Sequence, residues 1–288
     1  MKKKKLNYRK YTRSKAGNFF FFLMLTLGGL FMVFPIFYCV ITSLKPLEEL
    51  LIFPPKFTVS RPTLENYRVL PALLSNLQVP LSRYTFNSIY IAVLATGFSI
   101  LASSMAAFIF SKGKFKGRRL LFSIVQMMLL YSAVTLAVPQ YLVFSKLHII
   151  DTPLVYILPA IPSSVGCFLM KQFIDSGVPD SLLEAARIDG AGFFKIYWKI
   201  VMPLIKPAWL TVLLFTFQAL WANVPSGTIF SEVHKTLPYV MSSISAGGIA
   251  RTGSAMAITV VLMIPPILVF ILTQGNVMET MSSSGIKE

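Results

Sequence analysis

Side chains able to make or break bonds are few in this 288-residue chain, and their spacing forms no reaction centre. The two histidines, His148 and His234, and the two cysteines, Cys39 and Cys167, fall in no HExxH or CxxC pattern, so zinc and dithiol chemistry lack a donor set. Both cysteines lie in apolar runs, where a thiol behaves as a small hydrophobe. No GxxxxGK[ST] phosphate loop occurs, so ATP-driven work has to come from a partner. One polar stretch is patterned nonetheless, from Asp180 to Ala208. Asp180 or Ser181 can cap a short helix there, with Glu184 three residues after Ser181 in capping-box spacing. Leu183, Ala186 and Arg187 share a face of it, and Gly190 and Gly192 end it. Phe193, Ile196, Tyr197, Ile200, Val201 and Leu204 then recur at helical intervals up to Pro203 and Pro207. The pattern is a helix-turn-helix, a shape suited to docking in a groove of a soluble partner and passing on its motion.

The elements that must carry this stretch are set by hydropathy. With 55% hydrophobic and 13% charged residues and a mean hydropathy of +0.68, the chain reads as an all-α integral membrane protein. Six apolar segments, roughly 19–42, 85–110, 120–144, 153–170, 207–224 and 253–274, are each long enough to cross a hydrocarbon core of ~30 Å. The first follows a Lys-rich stretch, but its run is too long and lacks a small-residue cleavage site, so it predicts an uncleaved span.

The net charge of +16 points to no nucleic acid, because the basic residues flank apolar runs instead of forming a polar, aromatic-rich face. With the N-terminus inside, 19 of the 27 Lys and Arg residues fall on the cytoplasmic side, which predicts both termini in the cytoplasm and a multi-pass chain in the bacterial inner membrane. The expected organisation is a basic cytoplasmic tail at 1–18, a six-span transmembrane domain at 19–274 with the patterned loop at 175–206, and a cytoplasmic tail at 275–288. The first external connection, about 43 to 84, predicts a folded excursion, and the last, about 225 to 251, an irregular and partly re-entrant one, given Pro225, Gly227, Pro238, Gly247 and Gly248.

The patterned loop resembles the EAA loop of ABC importer permeases: Glu184-Ala185-Ala186, then Gly190 four residues on, then Ile200-Val201-Met202-Pro203. It stands where that family has it, on the predicted cytoplasmic face before the fifth of six spans. Ser43-Leu44-Lys45-Pro46, Pro62-Thr63-Leu64-Glu65-Asn66-Tyr67, Phe86-Asn87-Ser88, Ala106-Ala107-Phe108 and Asp189-Gly190-Ala191 extend the resemblance over nearly the whole chain, to the maltose-type carbohydrate permeases. Met278 to Glu288 resembles the family's ending only loosely.

The resemblance implies a type I transmembrane domain working by alternating access. Its partners are then a second homologous permease, two ABC ATPase subunits that bind ATP and magnesium, an extracytoplasmic solute-binding protein and membrane lipid. It also implies coupling roles for Glu184, Ala185, Ala186, Asp189, Gly190 and Pro203, with Glu184 the polar anchor in the ATPase groove.

A sugar needs neutral hydrogen-bonding groups and aromatic faces along its path. The spans offer Asn87, Ser103, Ser104, Gln126, Tyr131, Gln140, Gln218, Trp221 and Asn223, of which Asn87, Gln126, Tyr131, Gln218, Trp221 and Asn223 are the candidate path residues. Helix packing is the alternative use of each. No acidic or basic residue lies deep in a span, which fits a neutral solute and argues against a stand-alone proton- or sodium-coupled carrier. An ABC permease for an amino acid, peptide or phosphate is the alternative within transport.

Overall fold

The computed structural model describes residues 15–74, 79–131, 133–224 and 227–284, with backbone alone at 15, 74, 133, 134 and 276–284. The basic tail up to Lys10 and Arg13, together with Pro225 and Lys287, lies outside the described residues. All regular structure among the described residues is helical. In chain order the helices are α1 (Lys15–Ser43), the short α2 (Leu47–Leu50), α3 (Glu65–Arg68) and α4 (Leu70–Leu74), then α5 (Leu81–Lys112), α6 (Arg118–Met128), α7 (Ala133–Lys146), α8 (Leu154–Ala160) and α9 (Ser164–Gly177). There follow α10 (Asp180–Ile188), α11 (Phe193–Ile196), a π-turn at Tyr197–Val201, α12 (Met202–Leu204), α13 (Lys206–Trp221), α14 (Leu237–Ser245) and α15 (Thr252–Ser284).

Two compact units are present. One comprises residues up to Tyr67 with Gly248–Val260, and the other Arg68–Gly247 with the chain from Val261 onward. In the first, α1 turns nearly its whole surface outward, Phe19, Phe20 and Phe22 included, as a helix whose solvent is lipid does. The connection that follows α1 is folded against itself. Asn66 Nδ2 donates to Ser43 O and Lys45 O at 2.8 and 2.7 Å, Ser43 Oγ meets Tyr67 Oη at 2.8 Å, and Glu49 accepts from the backbone of Ser60 and Arg61. The buried Lys45 ammonium is satisfied by Lys56 O.

In the second unit α5 packs on α8, α9 and α13. Small side chains permit the approach. Gly166 on α9 marks a close approach, because a Cβ there would stand 3.0 Å from Ser103 Oγ and 3.1 Å from Val212 Cγ1.

Among the described residues, four helical stretches are long and apolar enough to cross a membrane: Ala16–Ser43, Leu81–Lys112, Leu154–Gly177 and Ile249–Gly275. A bent pair, Phe193–Leu204 with Lys206–Trp221 at 80°, would make a fifth. The expected third span, 120–144, is not one helix. It divides into α6 and α7 around Leu129–Tyr131, where the amides of Leu130 and Tyr131 reach back only three residues. At 1.5 Å per residue neither piece reaches ~30 Å, and Arg118 and Arg119 make the start of α6 polar. The last external connection is also more regular than its Pro and Gly content suggests. Pro238 sits at the start of α14, where its missing N–H costs nothing, and α14 buries Leu237, Val240 and Ile244.

Candidate functional site

The patterned loop folds as the expected helix-turn-helix, with a different start. The residue capping α10 is Pro179, which gives no side-chain hydrogen bond, so the capping box of Ser181 and Glu184 does not form. Asp180 instead binds Lys112 at the end of α5, Nζ to Oδ1 at 2.7 Å. The Lys112 hydrogen bond and charge hold the exposed Asp180 carboxyl below its ordinary range. Beside it Ser111 Oγ donates to Asp175 Oδ1 on α9 at 2.5 Å, so one end of α5 is fastened to the helices on both sides of Pro179.

α10 is anchored along one edge only. Leu183 is buried in the core with Phe108, Ile174 and Tyr197, and Ala186 packs against that cluster. Glu184, Ala185, Asp189 and Gly190 lie on the exposed side, as does Ile188, whose side chain is 86% exposed. Glu184 makes no hydrogen bond or ion pair among the described residues. Gly190 takes φ +76°, a left-handed turn that a Cβ disfavours, and the amide of Ala191 returns to Ala186 O at 2.9 Å to close the helix.

The second arm is rooted more deeply. Tyr197 is fully buried, and its hydroxyl meets Ser104 Oγ of α5 at 2.6 Å. Its residue opens a π-turn, a rare local geometry often found at functional sites. The 80° bend follows at Ile205. There the Pro207 ring, which has no N–H and would clash with the Pro203 carbonyl, prevents a continuous helix, and Trp209 Nε1 donates to Met202 O at 3.1 Å across the corner. Pro203 itself is exposed.

The six candidate path residues are dispersed. Asn87 is buried, and its amide donates to Val233 O and Lys235 O at 2.7 and 2.9 Å, so it holds the last external connection. Trp221 is buried with its Nε1 on Leu262 O at 2.9 Å. Gln126, Tyr131 and Gln218 are exposed. Asn223 alone of the six lines a cavity of about 890 Å³ between α7, α8, α9 and α13. Gln140 joins it there with Thr216, Thr228 and Tyr141. Thr216, Thr228 and Tyr141 escaped the sequence reading because no periodicity separates a cavity face from a lipid face. Among the described residues no cluster of His, Cys, Asp and Glu could hold a metal ion.

Residues 99–282 match the family described as the binding-protein-dependent transport system inner membrane component. The chain belongs to that family. It is therefore a transport subunit of the inner membrane and not an enzyme. It is similar to the inner membrane ABC transporter permease protein YcjP of Escherichia coli, 25% identical over 96% of this chain and 98% of that one. It is 29% identical to the arabinooligosaccharides transport system permease protein AraQ of Bacillus subtilis, over 93% and 94% of the two chains. The sn-glycerol-3-phosphate transport system permease protein UgpE of Yersinia enterocolitica is 28% identical over 88% and 91%. The fold is shared with a chain from the crystal structure of a bacterial ABC transporter involved in the import of the acidic polysaccharide alginate. The TM-score is 0.76 at 23% identity, covering 92% of this chain and 99% of that one.

Proposed function

We propose that this chain is one of two permease halves of an ATP-driven importer that moves an oligosaccharide delivered by an extracytoplasmic binding protein. The observation that carries the proposal is α10, a short helix tied down by Leu183 and Ala186 with Glu184, Ala185, Ile188 and Asp189 left facing outward. Such a helix fits a groove on an ATPase subunit. Glu184 supplies a polar anchor, Ala185 permits close approach and Gly190 makes the turn that returns the chain to the membrane. Two ATPases bind ATP and magnesium, and their closure drives alternating access in the paired permeases. Both chain termini lie in the cytoplasm with α10, as the Lys and Arg distribution favours. The lengthwise similarity to permeases named for arabinooligosaccharides and lactose favours a sugar. A relative named for sn-glycerol-3-phosphate makes a phosphorylated solute the second reading.

The test replaces Glu184 or Ala185 by cysteine in the assembled complex and seeks a cross-link to the ATPase. The cross-link is expected, and Glu184→Lys is expected to insert normally yet abolish solute-stimulated ATP hydrolysis. Wild-type turnover in Glu184→Lys, together with no cross-link, would refute the coupling role.

A further inference from the structure

We propose that the cavity between α7, α8, α9 and α13 is a solute-binding site of this chain, built for a neutral polyhydroxylated solute such as a sugar unit and against an anionic one. The inference rests on the importer assignment and adds the site and its chemistry.

The cavity, about 890 Å³, is of ligand size. Its polar groups are free where others in the same compact unit are spent. Asn87, Ser104 and Trp221 donate or share their hydrogen bonds within the fold. The side chains of Gln140, Thr216 and Asn223 line the cavity and make no hydrogen bond among the described residues. The Thr228 hydroxyl, in the same wall, is buried without a partner. Two amides and two hydroxyls offer both donors and acceptors, the complement of a sugar hydroxyl. The ring of Tyr141, in the same wall, provides an aromatic face.

The wall is fixed at the Thr228 end. Asp151 N donates to Thr228 O at 2.9 Å, and the Asp151 carboxylate accepts from Phe230 N at 2.9 Å and Ser231 N at 2.8 Å, and from the Ser231 hydroxyl.

No Lys, Arg or His lines the cavity. A phosphate or uronate entering it would lose its water without gaining a cation, a large penalty for a charge and none for a neutral solute. The start of α9 is in the wall, but the Gly166 amide is already committed to Ser163 Oγ at 2.9 Å. The named relatives include permeases for neutral and for anionic solutes, so the cavity assigns this chain to the neutral group.

The experiment uses the complete importer in lipid vesicles. Lactose and an arabinooligosaccharide are the neutral probes, with sn-glycerol 3-phosphate and an alginate oligosaccharide as anionic ones. A neutral probe is expected to be imported and the anionic ones not. Gln140→Ala and Asn223→Ala are each expected to lower the molecules imported per ATP hydrolysed about fivefold, the effect of one hydrogen bond. That ratio separates a lost contact from a fold defect, which lowers import and hydrolysis together. In a Cys39→Ser, Cys167→Ala background, the imported neutral probe is expected to slow alkylation of Asn223→Cys. A double variant with the wild-type ratio overturns the site and leaves the importer assignment standing. Import of an anionic probe alone, or of none of the four, also overturns it, and the α10 cross-link then decides separately whether the importer assignment survives.

Discussion

Tyr197 joins the loop that carries α10 to α5, and its replacement separates packing from hydrogen bonding. The Tyr197 hydroxyl meets Ser104 Oγ at 2.6 Å. Ser104 Oγ also donates to Ile100 O at 2.6 Å, so Tyr197→Phe leaves no stranded donor on α5. The loss is then that of one hydrogen bond in a membrane protein, about 0.6 to 1.7 kcal/mol. Tyr197→Ala removes in addition a ring that is 1% exposed and lies 6.1 Å from Phe108, centroid to centroid. Deleting a fully buried aromatic costs about 3–5 kcal/mol. The assay is reversible unfolding of the purified chain in lipid-detergent micelles, with Ser104→Ala completing a double-mutant cycle. Tyr197→Phe near 1 kcal/mol and Tyr197→Ala at least about 2 kcal/mol beyond it is the expected pattern. Equal losses in the two would show that packing at Tyr197 contributes nothing, and the account of a buried root for the loop would fail.

Two further predictions concern the connections after α1 and around α14. Gly253→Ala places a Cβ about 2.4 Å from Asn66 Oδ1, which drives the Asn66 amide off Ser43 O and Lys45 O and costs about 1–3 kcal/mol; unchanged stability in the same unfolding assay would refute it. At Asp151 burial raises the carboxyl pKa, but the hydrogen bonds from Ser231 and Phe230 and the nearby His234 outweigh it and hold the value below the ordinary range. A depressed folded-state pKa gives stability that is present above the unfolded value of about 3.9 and is lost as pH falls through the folded value. Hydrogen exchange at Phe230 and Ser231, corrected for intrinsic rates, should therefore accelerate below about pH 4, a step that Asp151→Asn removes. A step that persists in Asp151→Asn would assign the effect elsewhere.

The patterned loop was legible because its signals are local. Gly190 closes α10 at positive φ, Pro203 and Pro207 bracket the 80° bend, and Leu183 and Ala186 fall on one side of a short helix. Each depends on residues within a turn or two. The capping of α10 was misjudged for a tertiary reason, since Lys112 at the distant end of α5 holds Asp180. The break within 120–144 was not legible either, because overall hydropathy carries across the segment while the backbone turns at Leu129–Tyr131.

The candidate path residues were the least legible part. Polar residues in a membrane helix look alike in sequence whether they serve the fold or a ligand, and the difference lies in where their hydrogen bonds go. Asn87 and Trp221 are spent on carbonyls 146 and 41 residues away, a commitment that no window of sequence reports. Asn223 and Gln140 both line a cavity assembled from four helices. A polar side chain in a span becomes available to a solute only after the fold has left it unpaired, so the unpaired set, and not the polar set, is what mutagenesis should address.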